Sequence, residues 1–249
     1  MFRRLIRQHL NPGAQTLMGR LPSQCAVCRS WPSNGLVCES CVTRFAQPVP
    51  RCTGCALSVP ALTTPDSPNV LRCGACLVAQ PPLDSCLAAV SYTYPWNSCI
   101  TNYKFGSNPA WAATFSLLLK STPWVEPAID RANILIPVPL STQRLRERGF
   151  NQALELCKHL SPQKTDAKLL LRIENTLAQS DLTRSERLKN VASAFAVEPL
   201  RSTQLQGKRI VLVDDVMTSG ATLFAAAKAL RLAGASHITA VVFARTEPS

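Results

Sequence analysis

Eight of the eleven cysteines in this chain fall into four pairs of one spacing: Cys25/Cys28, Cys38/Cys41, Cys52/Cys55 and Cys73/Cys76. Nothing else in the first third limits the fold so strictly. Written out, the pattern is C-x2-C-x9-C-x2-C, then ten residues, then C-x2-C-x17-C-x2-C, enough for two tetrahedral zinc sites of four thiolates each. Two residues between cysteines let a tight turn aim both sulfurs at one ion, and the glycines of "CTGC" and "CGAC" suit such turns. Four cysteines leave no coordination position open, so the expected role of zinc is structural. Zinc binding of about 10–16 kcal/mol per site can order a segment poor in large apolar residues. Disulfides would need an oxidising compartment, and a redox C-x-x-C is expected once beside a βαβ unit, not four times in a proline-rich segment. Sequential and interleaved pairings of the four turns both fit the spacing. Cys86, Cys99 and Cys157 lie outside the pattern and read as small buried residues.

The basic start "MFRRLIRQHL" is followed by no apolar stretch of signal-peptide length, and no run of 18 apolar residues occurs anywhere. The expectation is a cytoplasmic protein without a membrane span. Residues 1–80 hold eight Lys and Arg against Glu39 and Asp66 alone, half of the formal net charge of +12. Such a balance favours phosphorylated substrates or nucleic acid as partners without choosing between them.

Composition changes near residue 83. Residues 1–82 read as a double zinc-ribbon module, and residues 83–249 alternate apolar β-branched runs with helical patterns. Strands are expected at "SCLAAVSYTYP", "ANILIPVP", "DAKLLLRI", "RIVLVDD" and "HITAVVFAR", and helices at "NSCITNYKF", "PAWAATFSLLLKS", "NQALELCKHL" and "ATLFAAAKALRLAGA". The fold class is therefore α/β with a parallel sheet.

In such sheets ligands sit beyond the carboxyl ends of the strands. The run "RIVLVDDVMTSGATLF" puts Asp214 and Asp215 at such an end and follows them with Val216, Met217 and the small-residue loop Thr218, Ser219, Gly220, Ala221 and Thr222 opening a helix. Backbone N–H groups there favour a phosphate. Carboxylates beside a phosphate would repel it, so they suit vicinal ribose hydroxyls or a bound Mg²⁺. No G-x-x-x-x-G-K-[ST] exists to make this a P-loop ATPase.

Arg144, Arg146 and Arg148 precede "NQALELC" and read as cations near a helix start, which implies a nearby anion such as pyrophosphate or else a solvated basic turn. Asn151 could cap the same loop. "NTLAQSDLTRSERLKNVASAF", with Gln179, Arg184, Arg187, Lys189 and Asn190, reads equally as a lid closing on phosphates and as an exposed amphipathic helix.

The run "VLVDDVMTSGATL" resembles the signature of type I phosphoribosyltransferases. That resemblance implies that Asp214 and Asp215 hold the ribose of phosphoribosyl pyrophosphate (PRPP), that Thr218–Thr222 hold its 5-phosphate, and that Mg²⁺ accompanies the pyrophosphate. Together with the cysteine-rich front, "YTYPWNSCITNYKFGSNP", "PVPLSTQRLRERGFNQ" and "QSDLTRSERLKNVASAF", it resembles the competence protein F family (ComF, including GntX-type proteins) along nearly the whole chain. The resemblance implies a phosphoribosyltransferase-like domain behind a double zinc ribbon, and a link to DNA uptake in natural transformation beside a helicase-like partner. Gly106-Ser107 departs from the family's glycine-aspartate at that place. An alternative expectation is a non-catalytic accessory module that binds single-stranded DNA through the basic front and retains the sheet as scaffold.

Overall fold

The computed structural model describes residues 23–60, 71–106, 108–173 and 194–247. The basic start, the loop "ALTTPDSPNV", most of the expected lid with Gln179, Arg184, Arg187, Lys189 and Asn190, and Ser107 lie outside the described residues.

Four strands form one parallel sheet: β1 (Ser85–Ser91), β2 (Ile134–Pro137), β5 (Arg209–Met217) and β6 (His237–Arg245), in the order β1-β6-β5-β2. The apolar run of β5 suits a strand covered on both faces. Its pleat sends Ile210 and Leu212 into one core and Val211 and Val213 into the other. The first core lies under α8 (Ala221–Leu232), which Gly234 ends at φ 94°. The second lies under α3 (Trp96–Phe105), α4 (Trp111–Lys120), α5 (Val125–Arg131) and α7 (Gln152–Leu160). Phe115 and Phe243 stack at its centre with ring centroids 3.9 Å apart, and Trp96 meets Phe243 edge-on at 5.6 Å.

Two expected elements take a different form. "DAKLLLRI" does form a strand, β3 (Leu170–Arg172), but it pairs antiparallel with β4 (Phe195–Val197) outside the main sheet. The arginine segment is not the start of α7. It makes its own short helix, α6 (Thr142–Arg148), capped by the Ser141 hydroxyl and closed by Gly149 at φ 77°. Arg146 and Arg148 thus occupy a last turn, where cations complement the helix dipole instead of opposing it. Asn151 then caps α7 by accepting from the amides of Ala153 and Leu154.

In the front segment each cysteine set joins a turn to a helix. Cys25 and Cys28 meet Cys38 and Cys41 at the start of α1 (Glu39–Phe45), and Cys52 and Cys55 meet Cys73 and Cys76 at the start of α2 (Gly74–Val78). The turn glycines do not supply the left-handed residue. Arg29 (φ 63°) and Ala56 (φ 56°), each just after the second cysteine, do so. Gly54 serves close packing instead, since a Cβ there would stand 3.2 Å from the Cys76 sulfur. The two sets cover different cores: Cys52, Cys55 and Cys76 pack with the α8 side, Cys25 and Cys41 with the α4 side.

Replacing Phe243 by Ala removes both ring contacts from a fully buried site and is expected to cost about 3–5 kcal/mol. A denaturant midpoint close to that of the wild type would contradict this packing.

Candidate active site and cysteine clusters

The pleat that divides the cores also divides the two aspartates. Asp215 follows Val211 and Val213 toward α3, and Asp214 follows Ile210 and Leu212 toward α8 and β3. Both line one cleft of about 440 Å³ at the carboxyl end of the sheet. Val216, Thr218 and Thr222 line it as well, and so do Lys104, Arg144, Arg148 and Arg172. A smaller recess of about 30 Å³ lies between Asp214 and the loop of Thr218, Gly220, Ala221 and Thr222. Ser219 turns inward on the loop, where its hydroxyl accepts from the Ala221 amide at 3.3 Å. Gly220 stands at φ 85° and caps α8. Any Cβ there would meet Met217 and Phe224 within 2.8 Å, so this position requires glycine.

The electrostatics combine two neighbouring acids with four cations in one cleft. Asp215 is 6% exposed, and its Oδ2 lies 3.1 Å from the Lys104 ammonium without an aligned hydrogen bond. Burial, and then the neighbouring Asp215, push the Asp214 carboxyl up to about 7. Burial also lowers the guanidinium pKa of Arg144 and Arg172, and like charge adds to it: Arg148 acts on Arg144, and Arg144 on Arg172. Arg148 donates to Gln152 Oε1 at 3.1 Å and lies over Phe105 at 5.6 Å, while its buried Nε has no hydrogen-bond partner. Lys104 thus pairs with Asp215, and Arg144, Arg148 and Arg172 share the cleft with both acids.

Of the arginines expected here, Arg148 lines the cleft and Arg146 is exposed outside it, while Arg144 takes the inner position. Arg184 and Arg187 lie outside the described residues. Lys104 and Arg172 were not anticipated. The signal for Lys104 was present, because it borders the buried stripe Trp96, Ile100 and Tyr103 of α3, where a lysine needs a partner. Arg172 had none, since β3 read as an ordinary sheet strand.

The cysteine sets fit a tetrahedral ion. Zinc–sulfur bonds of about 2.3 Å place sulfurs about 3.8 Å apart. Here Cys25 and Cys41 are 4.0 Å apart, Cys28 and Cys38 3.6 Å, and Cys55 and Cys73 3.6 Å, and within each set all sulfurs lie within 4.8 Å. None of these pairs is at disulfide bonding distance, and the pairing is sequential. The Ser30 hydroxyl, ahead of the Ser30 amide, brings the Cys28 thiol down to about 6. For Cys52 burial acts upward but is outweighed by backbone amides, Cys73 first at 3.2 Å, which bring it to about 7. Burial, first among the causes, pushes other thiols of the same sets upward, Cys41 in the first and Cys55 and Cys76 in the second.

A parallel sheet with paired acids at a strand end, a glycine-bearing loop opening the next helix, and two four-cysteine clusters in front is a phosphoribosyltransferase-type α/β fold with a cysteine-clustered amino-terminal segment. A model of the phosphoribosyl transferase domain matches residues 154–248. The chain is 30% identical over 238 residues to the DNA utilization protein YhgH of Salmonella typhi, covering 91% of this chain and 98% of that protein. It is 30% identical to competence protein F of Haemophilus influenzae, over 67% of this chain and 75% of that one. It is 37% identical to competence protein ComFC of Bacillus subtilis, over 41% and 39%. The chain belongs to the competence protein F family.

The raised Asp214 pKa has a consequence for stability. The folded protein holds a proton that the unfolded chain releases near 3.8, so stability falls as pH rises from about 4 through about 7. In ligand-free, Mg²⁺-free buffer, Asp214→Asn is expected to melt higher than wild type at pH 8 and alongside it at pH 4. Parallel melting curves at the two pH values would refute the shift.

Proposed function

We propose that the protein binds PRPP with Mg²⁺ in the cleft at the end of β5 and transfers or senses its phosphoribosyl group. The observation that carries this reading is that Asp214 and Asp215 line one cleft with Arg144, Arg148 and Arg172, beside a loop at a helix start. Thr218, Ser219, Gly220, Ala221 and Thr222 hold the 5-phosphate through backbone amides and hydroxyls. Asp214 and Asp215 accept hydrogen bonds from the ribose hydroxyls, and the guanidinium wall receives the pyrophosphate. As the C1–oxygen bond breaks, the carboxylates oppose the positive charge growing on the ribose and the arginines the negative charge on the leaving pyrophosphate. The acidic wall also suits Mg²⁺, which when bound offsets phosphate charge and orients the leaving group. Zinc at Cys25, Cys28, Cys38 and Cys41 and at Cys52, Cys55, Cys73 and Cys76 is structural.

Calorimetric titration of PRPP with Mg²⁺ is expected to show binding by the wild type, and binding about tenfold or more weaker by the double variant Asp214→Asn, Asp215→Asn. Equal affinities would remove the assignment. Metal analysis of the purified protein is expected to return two zinc ions per chain, and one or none would contradict the zinc reading.

A second reading rests on the surface beside the first cysteine cluster. Trp31 and Tyr94 are 64% and 63% exposed, Tyr94 meets Phe45 edge-on at 5.6 Å, and the Arg44 guanidinium lies 5.1 Å over Phe45. Exposed rings among cations suit single-stranded DNA, and the relatives' names bring DNA utilization and competence to this chain by analogy. This reading takes in the cytoplasmic accessory role beside a helicase-like partner that the family resemblance implies. Single-stranded DNA binding that falls steeply between about 50 and about 500 mM salt and weakens in Trp31→Ala with Tyr94→Ala is the expected result. Affinity indifferent to both would set this reading aside.

A further inference from the structure

Arg245 is 4% exposed and ends β6 directly beside the last residue of β5, Met217. Its guanidinium faces two elements that are far apart in sequence. Nε donates to the carbonyl of Cys55 at 2.7 Å, in the turn that carries two cysteines of the second cluster. Nη1 is shared among the carbonyls of Met217 at 3.0 Å, Thr218 and Thr246. One buried cation therefore joins the cysteine turn to the first residues of the loop after β5.

Two further contacts run in parallel. The Cys86 amide donates to the Thr53 carbonyl at 2.7 Å, and its thiol lies 3.5 Å from the Met217 sulfur, so β1 also links the turn to the loop. The turn itself is held shut by Cys52 and Leu57 at 2.7 Å and by Ala56 and Cys52 at 2.8 Å. A charged group this far from water is tolerated only where several acceptors are fixed around it. Those acceptors stay fixed only while both the turn and the loop keep their shape.

We infer that Arg245 is a positioning residue through which metal loading of the Cys52, Cys55, Cys73 and Cys76 cluster sets the conformation of the Thr218–Thr222 loop. The ion fixes the turn, the turn fixes the Cys55 carbonyl, that carbonyl orients the guanidinium, and the guanidinium holds the Met217 and Thr218 carbonyls. The loop amides are thereby held in place for a phosphate. The first cluster, packed on the other core, has no such link among the described contacts. The effect on ligand rests on the PRPP reading; the coupling between cluster and loop does not.

The test uses full-length, zinc-loaded protein and amide hydrogen exchange without ligand. Arg245→Met leaves all eight cysteines in place and is expected to retain two zinc ions per chain. Exchange at residues 217–222 should accelerate about tenfold or more relative to the amides of α7, with PRPP affinity falling in step. Arg245→Lys should not restore either, because one ammonium cannot reproduce separate Nε and Nη1 contacts. Cys73→Ser should accelerate the same loop amides while Cys28→Ser, in the first cluster, leaves them unchanged. Unchanged loop exchange in Arg245→Met, or equal acceleration by the two cysteine variants, would overturn the inference. Accelerated exchange in a protein whose wild type binds no PRPP would uphold the coupling and sink the ligand assignment instead.

Discussion

Two charged side chains are buried among the described residues, Asp215 and Arg245, and they stand at the carboxyl ends of adjacent strands. A parallel sheet covered on both faces leaves few places for a charge to go. Between Arg209 and Asp214 on β5, and between Thr239 and Arg245 on β6, the pleat spends every position on apolar residues for one core or the other. Charge returns at the carboxyl end of both strands, and there each buried charge has a fixed partner. Asp215 takes the Lys104 ammonium, and Arg245 takes backbone carbonyls from a cysteine turn and from the loop after β5. The cleft, the loop and the second cysteine cluster are in this sense consequences of one boundary between buried sheet and open end.

The cysteine clusters are correspondingly bound into the rest of the molecule. Each contributes side chains to a different core, and polar contacts reinforce both attachments. The Trp96 indole donates to the Phe45 carbonyl at 2.8 Å, tying α1 to α3. Arg51 donates to the Ala56 carbonyl, to Ser91 and to Glu247, and Glu247 also accepts from the Ser58 amide and hydroxyl. A turn fixed at both its cysteine side and its sheet side transmits displacement instead of absorbing it, which is the property that a positioning device needs.

Much of this was legible in the sequence because the informative residues are local. Val-rich and Ile-rich runs fix β5 and β6, and two acids followed by Thr-Ser-Gly fix the loop. What escaped depended on contacts between distant segments or on cap chemistry. The segment Ser141–Asn151 carries its own punctuation, a capping serine, a left-handed glycine and a capping asparagine, and these split one expected helix start into two helices. Overlooking Gly149 inverted the sign of the dipole argument for Arg146 and Arg148. Apolar content alone could not tell that Leu170 and Leu171 pair with Val197 and Ala196 in a separate ribbon, so Arg172 was not expected in the cleft. The sequential pairing of the cysteines likewise required knowing that Cys38 and Cys73 open helices.

The cleft is built against its own stability, and the sign of that cost is informative. Burial and a neighbouring arginine both lower the guanidinium pKa of Arg144 and Arg172, and burial and Asp215 push Asp214 upward. Natural proteins retain such conflicts chiefly where a ligand relieves them. A ligand that relieved only the arginines would be any polyanion, and one that relieved only the acids would be any cation or polyol. In the proposed reading, a single molecule that carries phosphates at two ends and hydroxyls between them would relieve both sets at once.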